Sequence, residues 1–255
     1  MPLHQVTLTN SDIHHVVQTK DMVLLHGLFG NLSNWKRTAT YFAPFHRVFV
    51  PELPLFDHFI GSNPLNRLVS FLEHYIAENQ IVDPVLIGNS LGGHVALLYT
   101  LKHPGKVCRL ILTGSSGLYE NTFGGSFPRV RDYHYIRQKV EDIFDRKEVV
   151  NAEMIDHVFD IVQQKNKVLS VIALARDAQQ QNLKEDLPAI QVPVLLIWGL
   201  QDKVTPPSVG REFEQLLPNA TLKYLNQCGH APMMEQPELF NSFVSGFLEM
   251  EYGTN

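Results

Sequence analysis

The sequence predicts an α/β protein, with a mostly parallel central sheet, helices on both faces and an inserted all-helical segment. Three observations predict it. Compact apolar runs, short enough for buried strands, recur at residues 22–25, 85–87, 107–113 and 193–199. Helix patterns separate most of them. Residues 117–188 break the rhythm, with three helix patterns and no strand.

In chain order, residues 4–9 and 13–19 read as two short strands around the turn residues Asn10-Ser11-Asp12. The strand at 22–25 delivers His26-Gly27-Leu28-Phe29-Gly30, and a strand at 48–50 leads into a proline-punctuated loop at 51–61. Asn63-Pro64 starts a helix, with Asn as cap and Pro in the first turn. Leu68, Phe71, Leu72, Tyr75 and Ile76, spaced at three and four, form its apolar face. The strand at 85–87 stops at Gly88, and a helix runs from 91 to 103, ended by Pro104-Gly105. After the strand at 107–113 come a loop at Gly124-Gly125 and helices at 132–144, 151–162 and 167–181. The strand at 193–199, a helix opened by Thr205-Pro206 and a strand at 221–225 follow. The last helix, from Gln236-Pro237, is apolar at Leu239, Phe240, Phe243, Val244, Phe247 and Leu248. An insertion of about 70 residues exceeds the usual loop lengths and reads as a lid. It divides the chain into a core (1–116), a helical cap (117–188) and the rest of the core (189–255).

Bulk properties remove several function classes. The chain has 255 residues, 44% of them hydrophobic, and a net charge of −5 without any basic block, so nucleic acid is not an expected partner. No apolar run approaches the roughly 20 residues of a membrane span. The first residues lack the basic start and apolar stretch of a signal peptide. Cys108 and Cys228 are the two cysteines, and with no secretion signal they fit a reduced, cytoplasmic protein. There is no Cys-x-x-Cys, His-Glu-x-x-His or P-loop, so neither metal nor cofactor is expected, and the partner is a small-molecule substrate.

The chemistry centres on Gly88-Asn89-Ser90-Leu91-Gly92. About one random chain in ten of this length contains Gly-x-Ser-x-Gly, so context decides its meaning. Here it follows an apolar strand and opens an apolar helix, the setting in which a serine hydroxyl is pushed clear of the backbone. A serine is a poor nucleophile without a base, usually histidine, which in turn needs an acid to fix its tautomer. His230 stands in a Cys-Gly-His-Ala-Pro loop after the last strand, and Asp202 lies just past the strand at 193–199. Asp57 and Glu52, on another strand-end loop, are alternative acids. The order Ser90, Asp202, His230 is that of a Ser–Asp–His triad on such a sheet. The N–H of Leu91, at a helix N-terminus, and that of Leu28 are the expected oxyanion donors. His26 reads as a brace of its loop.

Taken together, His26-Gly27-Leu28-Phe29-Gly30, Gly88-Asn89-Ser90-Leu91-Gly92-Gly93, Trp198-Gly199-x-x-Asp202 and Gly229-His230-x-Pro232-x-x-Glu235 resemble the α/β-hydrolase superfamily. The resemblance implies a capped serine hydrolase that cleaves small to medium, partly apolar carboxylic esters through an acyl-enzyme. It also implies two alternatives. One is a carbon–carbon bond hydrolase of ring-fission products of the 2-hydroxy-6-oxo-dienoate type; the other is a non-catalytic ligand-binding homologue. Ser90 speaks against the similar epoxide hydrolases and haloalkane dehalogenases, which carry Asp there. Ring-fission hydrolases usually follow the histidine with Trp, where this chain has Ala231, and they carry a cap arginine that residues 154–159 lack. The loop 51–56 departs from the Asp-x-x-Gly-x-Gly common in the superfamily and is expected to reshape one pocket wall. Phe29, Asn31, Trp35, Asn89, Phe123, Phe127, Phe159 and Ala231 are candidates for the substrate pocket, which they would make partly apolar.

Overall fold

The computed structural model describes residues 19–56, 63–121 and 129–250. The strand expected at 4–9, and all but the last residue of that at 13–19, fall outside them, as do Asp57, Phe123 and Phe127. The described chain runs β1 (Asp21–Leu25), α1 (Lys36–Phe42), β2 (Arg47–Phe49), α2 (Pro64–Glu78), β3 (Val85–Asn89), α3 (Leu91–Lys102) and β4 (Arg109–Thr113). It continues with α4 (Tyr133–Glu141), α5 (Ala152–Gln163), α6 (Lys165–Gln180), β5 (Val194–Gly199), α7 (Pro207–Leu216), β6 (Ala220–Leu225), α8 (Pro232–Glu235) and α9 (Pro237–Glu249).

Six strands form one parallel sheet in the order β2-β1-β3-β4-β5-β6. Side chains alternate between its faces. In β1, Val23 and Leu25 face a layer that contains α2, α3 and α7, while Met22 and Leu24 face the layer of α1 and α9. The central strands are buried on both sides, which is why they read as unbroken apolar runs rather than alternating ones. The chain leaves β1 to one side for β2 and returns on the other side for β3. The carboxyl ends of β1 and β3 therefore flank a topological switch point, the place where open α/β sheets bind ligands. Between β4 and β5 the described residues form only helices: α4 and α5 join the apolar cluster of α9, and α6 joins that of α2. No described helix is long and apolar enough to cross a membrane.

One capping expectation is corrected. Asn63 does precede Pro64, but it adopts a left-handed conformation (φ 73°) and makes no side-chain cap. The Leu65 N–H is taken instead by Asp177 Oδ2 of α6, at 2.8 Å, from 112 residues away. A buried carboxylate at the positive end of a helix is favourable, and this one fastens α6 to α2.

Candidate functional site

Ser90 joins β3 to α3 with φ 53° and ψ −122°, a backbone state that costs a non-glycine residue about 1–3 kcal/mol. Its surroundings hold it there. The Ser90 N–H donates to the Thr113 carbonyl at the end of β4 (3.2 Å), and the Ser90 carbonyl accepts from Gly93, His94 and Ser116. The flanking glycines are needed for close approach. A Cβ at Gly88 would stand 2.5 Å from the Gly93 backbone, and one at Gly92 would stand 2.3 Å from the Leu25 carbonyl oxygen. Leu91 is the first residue of α3, so its N–H has no acceptor within the helix.

The acid that meets His230 is Asp202. Its Oδ2 accepts from His230 Nδ1 at 2.9 Å and from the Thr205 hydroxyl at 2.9 Å, while Oδ1 accepts from the N–H groups of Val204 (2.8 Å) and Thr205 (3.0 Å). Four donors on this buried carboxylate fix its rotamer. With Nδ1–H committed to Asp202, Nε2 of His230 is left as the acceptor. Burial pulls the imidazole down, but the charge and hydrogen bond of Asp202 outweigh it, so His230 titrates above its ordinary value near 6.5. Trp198, at the end of β5, donates from Nε1 to the Thr205 carbonyl (2.8 Å) and thereby shapes the turn that carries Asp202.

Ser90 and His230 adjoin through their neighbours. Asn89 Nδ2 donates to both the Thr113 carbonyl (2.9 Å) and the His230 carbonyl (3.0 Å). No hydrogen bond joins Ser90 Oγ to His230 among the described residues. In hydrolases without substrate such a bond is often long and tightens in the Michaelis complex. Gly114, which the sequence analysis does not single out, makes room for the imidazole. It has φ 50°, and a Cβ there would lie 2.8 Å from His230 Nδ1. Its signal in the sequence is a glycine directly after the strand next to the elbow strand.

Glu235 is a second buried carboxylate whose position, but not whose role, is legible in the Gly-His-x-Pro-x-x-Glu pattern. Its Oε1 accepts from the Gly229 N–H (2.8 Å), and Oε2 accepts from those of Asp145 (2.8 Å) and Arg146 (3.0 Å). The His230 N–H itself donates to the Ile143 carbonyl (3.0 Å). The loop of His230 is thus stitched to the segment after α4. Burial pushes the Glu235 carboxyl above the usual range, against the opposing pull of these N–H donors. Glu235→Ala should strip three donors of their partner and cost about 2–4 kcal/mol in denaturant unfolding. Glu235→Gln, which keeps an acceptor oxygen, should cost less. Equal stability of the alanine variant and the wild type would contradict the stitch.

The pocket candidates divide. Asn31 and His26 help line a cavity of about 240 Å³, together with residues 52–56 of the loop after β2 and His157 of α5. His26 braces rather than reacts: Nε2 accepts from the Leu53 N–H (3.0 Å), leaving Nδ1–H to donate to the Gly27 carbonyl (2.9 Å). Burial lowers its pKa and keeps it neutral. Trp35 is fully buried against Phe240, with ring centroids 6.1 Å apart, and belongs to the core. Asn89 is occupied as a staple, and Ala231 is buried in the same apolar cluster as Met233. Phe29 packs partly buried on that cluster, and Phe159 stacks edge-on with Tyr133 at 5.2 Å.

A parallel sheet with an acid–histidine pair and a strained serine at the carboxyl ends of its strands is the arrangement of the α/β-hydrolase fold. Comparison with known proteins agrees. The sequence model of the Alpha/beta hydrolase family matches residues 22–243, and the chain belongs to that family. A solved structure similar to it is MGS-MChE2, an alpha/beta hydrolase enzyme from the metagenome of lagoon sediments at Mar Chica, Morocco. The two are 34% identical, with a TM-score of 0.73 and 91% of each chain covered. The pimeloyl-(acyl-carrier protein) methyl ester esterase of Vibrio campbellii is 28% identical over 88% of this chain and 92% of its own. The 2-hydroxy-6-oxononadienedioate/2-hydroxy-6-oxononatrienedioate hydrolase of Cupriavidus pinatubonensis is 24% identical over 95% of this chain and 94% of its own.

Proposed function

We propose that the chain is a serine hydrolase of small to medium carboxylic esters. Ser90 attacks the ester carbonyl, and Nε2 of His230 takes the hydroxyl proton and returns it to the leaving alcohol. Asp202 holds the imidazole, and the Leu28 and Leu91 N–H groups receive the oxyanion. Water then hydrolyses the acyl-enzyme by the same route. Residues 117–188 act as a cap over the strand ends. The observation that carries this reading is the 2.9 Å bond from His230 Nδ1 to Asp202, which leaves Nε2 as the available base on a residue whose carbonyl is tied to Asn89, the neighbour of the strained Ser90. The esterase relative supports the ester class. A fluorophosphonate probe is expected to label Ser90, read by mass spectrometry, and p-nitrophenyl butyrate is expected to turn over. An unlabelled Ser90 in folded protein would reject the reading in favour of a non-catalytic binder.

The carbon–carbon hydrolase relative favours a second reading that uses the same three side chains. Higher kcat/KM on a ring-fission dienoate than on p-nitrophenyl butyrate would select it. Ala231 and the absence of arginine from residues 154–159 count against it.

A further inference from the structure

The cavity of about 240 Å³ is walled by the loop after β1 (His26, Asn31), the loop after β2 (Glu52, Phe56) and α5 (His157). Ser90 and His230 are not in its wall, but His26 is, and its neighbour Gly27 packs on the elbow: a Cβ there would stand 3.1 Å from Ser90 Cβ. A cavity of roughly 150 Å³ holds a benzene, so this one takes a chain end of up to about ten heavy atoms.

Among the described residues of the wall, Glu52, itself exposed, is the only one with a formal charge. His26 has both ring nitrogens committed within the protein. His157 adds no positive charge either: burial, then the nearby Lys167 ammonium, lowers its pKa, and its Nε2 is buried with no hydrogen-bond partner. The Lys167 ammonium, which sits over the Phe56 ring at 5.2 Å, is the strongest single charge acting on His157, and the carboxylates of Asp160, Glu52 and Glu153 oppose it. Asn31 presents a neutral amide whose Oδ1 already accepts from the Ser33 N–H and hydroxyl.

We infer that this cavity is the substrate subsite that excludes carboxylates, with Glu52 as its specificity-determining residue, so that the enzyme selects esters whose distal end is uncharged or cationic. The inference rests on the ester-hydrolase reading and sharpens it. A 2-hydroxy-6-oxo-dienoate must bring a carboxylate, so such a subsite opposes the second reading.

The test uses two ester series with charge on one or the other side of the scissile bond. The acyl series is p-nitrophenyl hexanoate, mono-p-nitrophenyl adipate and p-nitrophenyl 6-aminohexanoate. The alcohol series is butyl butyrate and the butyrate ester of 4-hydroxybutyrate. In the series whose distal end reaches the cavity, wild type should disfavour the carboxylate ester by at least about tenfold in kcat/KM. That is the factor expected of two like charges about 6 Å apart in partly hydrated surroundings. Glu52→Gln should raise the ratio of carboxylate to neutral ester about tenfold, Lys167→Gln should lower it, and added salt should shrink the discrimination. Hydrolysis without discrimination in either series, or a ratio unmoved by Glu52→Gln, would overturn the inference and leave the esterase standing. No hydrolysis of any ester, with Ser90 unlabelled, would instead remove the reading on which it rests.

Discussion

Ser90→Ala is expected to lower kcat on p-nitrophenyl butyrate by at least about a thousandfold, a loss of about 4 kcal/mol of transition-state stabilisation. The loss should be chemical rather than structural. The backbone at 90 is held by its own N–H and carbonyl bonds to residues 93, 94, 113 and 116, none of which uses the side chain. Alanine tolerates φ 53° about as poorly as serine does, so the strain of the elbow is nearly unchanged. Denaturant midpoints should therefore agree closely while turnover collapses. The double variant Ser90→Ala/His230→Ala should be little worse than the single one, because the two groups act as a unit. Near-normal ester turnover by Ser90→Ala would remove the nucleophile from the proposal.

The sheet is legible in the sequence because a strand buried on both faces declares itself locally. Residues 194–199 need no distant information to be read as a strand, and β5 is found there. The elbow is equally local, since the glycines at 88 and 92 answer to backbone within a few ångströms. Long-range arrangements leave no such mark. The cap on α2 comes from Asp177, 112 residues away, and not from the adjacent Asn63 that propensity favours. Two of the three donors to Glu235, Asp145 and Arg146, sit about 90 positions upstream, and the room for His230 is made by Gly114. The 3₁₀ turn at Leu32–Trp35 and α1 escape a periodicity reading because the stretch is short, and Lys36-Arg37-Thr38-Ala39-Thr40 carries no apolar stripe. Trp35 is a pocket candidate by its place in a strand-end loop, although packing is the commoner role of an aromatic there. Its burial against Phe240, which follows from α9 lying on the same face, decides for core.

Asp202→Asn should cost about 10⁴ in kcat, by inverting the histidine rather than by dismantling the site. The Asn carbonyl would take the place of Oδ1, because the Val204 and Thr205 N–H groups demand an acceptor there. The amide NH₂ must then occupy the Oδ2 position, facing the Thr205 hydroxyl and His230 Nδ1. The hydroxyl can rotate to accept. The imidazole can accept only at Nδ1, which forces its proton onto Nε2, the atom that should receive the serine proton. The pH profile separates this from a general loss of structure. In wild type the carboxylate outweighs burial and holds His230 above about 6.5. The neutral, active base is therefore lost as pH falls through that raised value, and the acid limb of kcat/KM should have its midpoint above 6.5. In Asp202→Asn the burial remains and the opposing charge is gone, so the residual activity should persist to lower pH, with the limb displaced downward. Unfolding should remain cooperative, since both backbone donors keep their acceptor. A variant that retained a tenth of wild-type turnover, or whose acid limb stayed in place, would show that some other group orients His230.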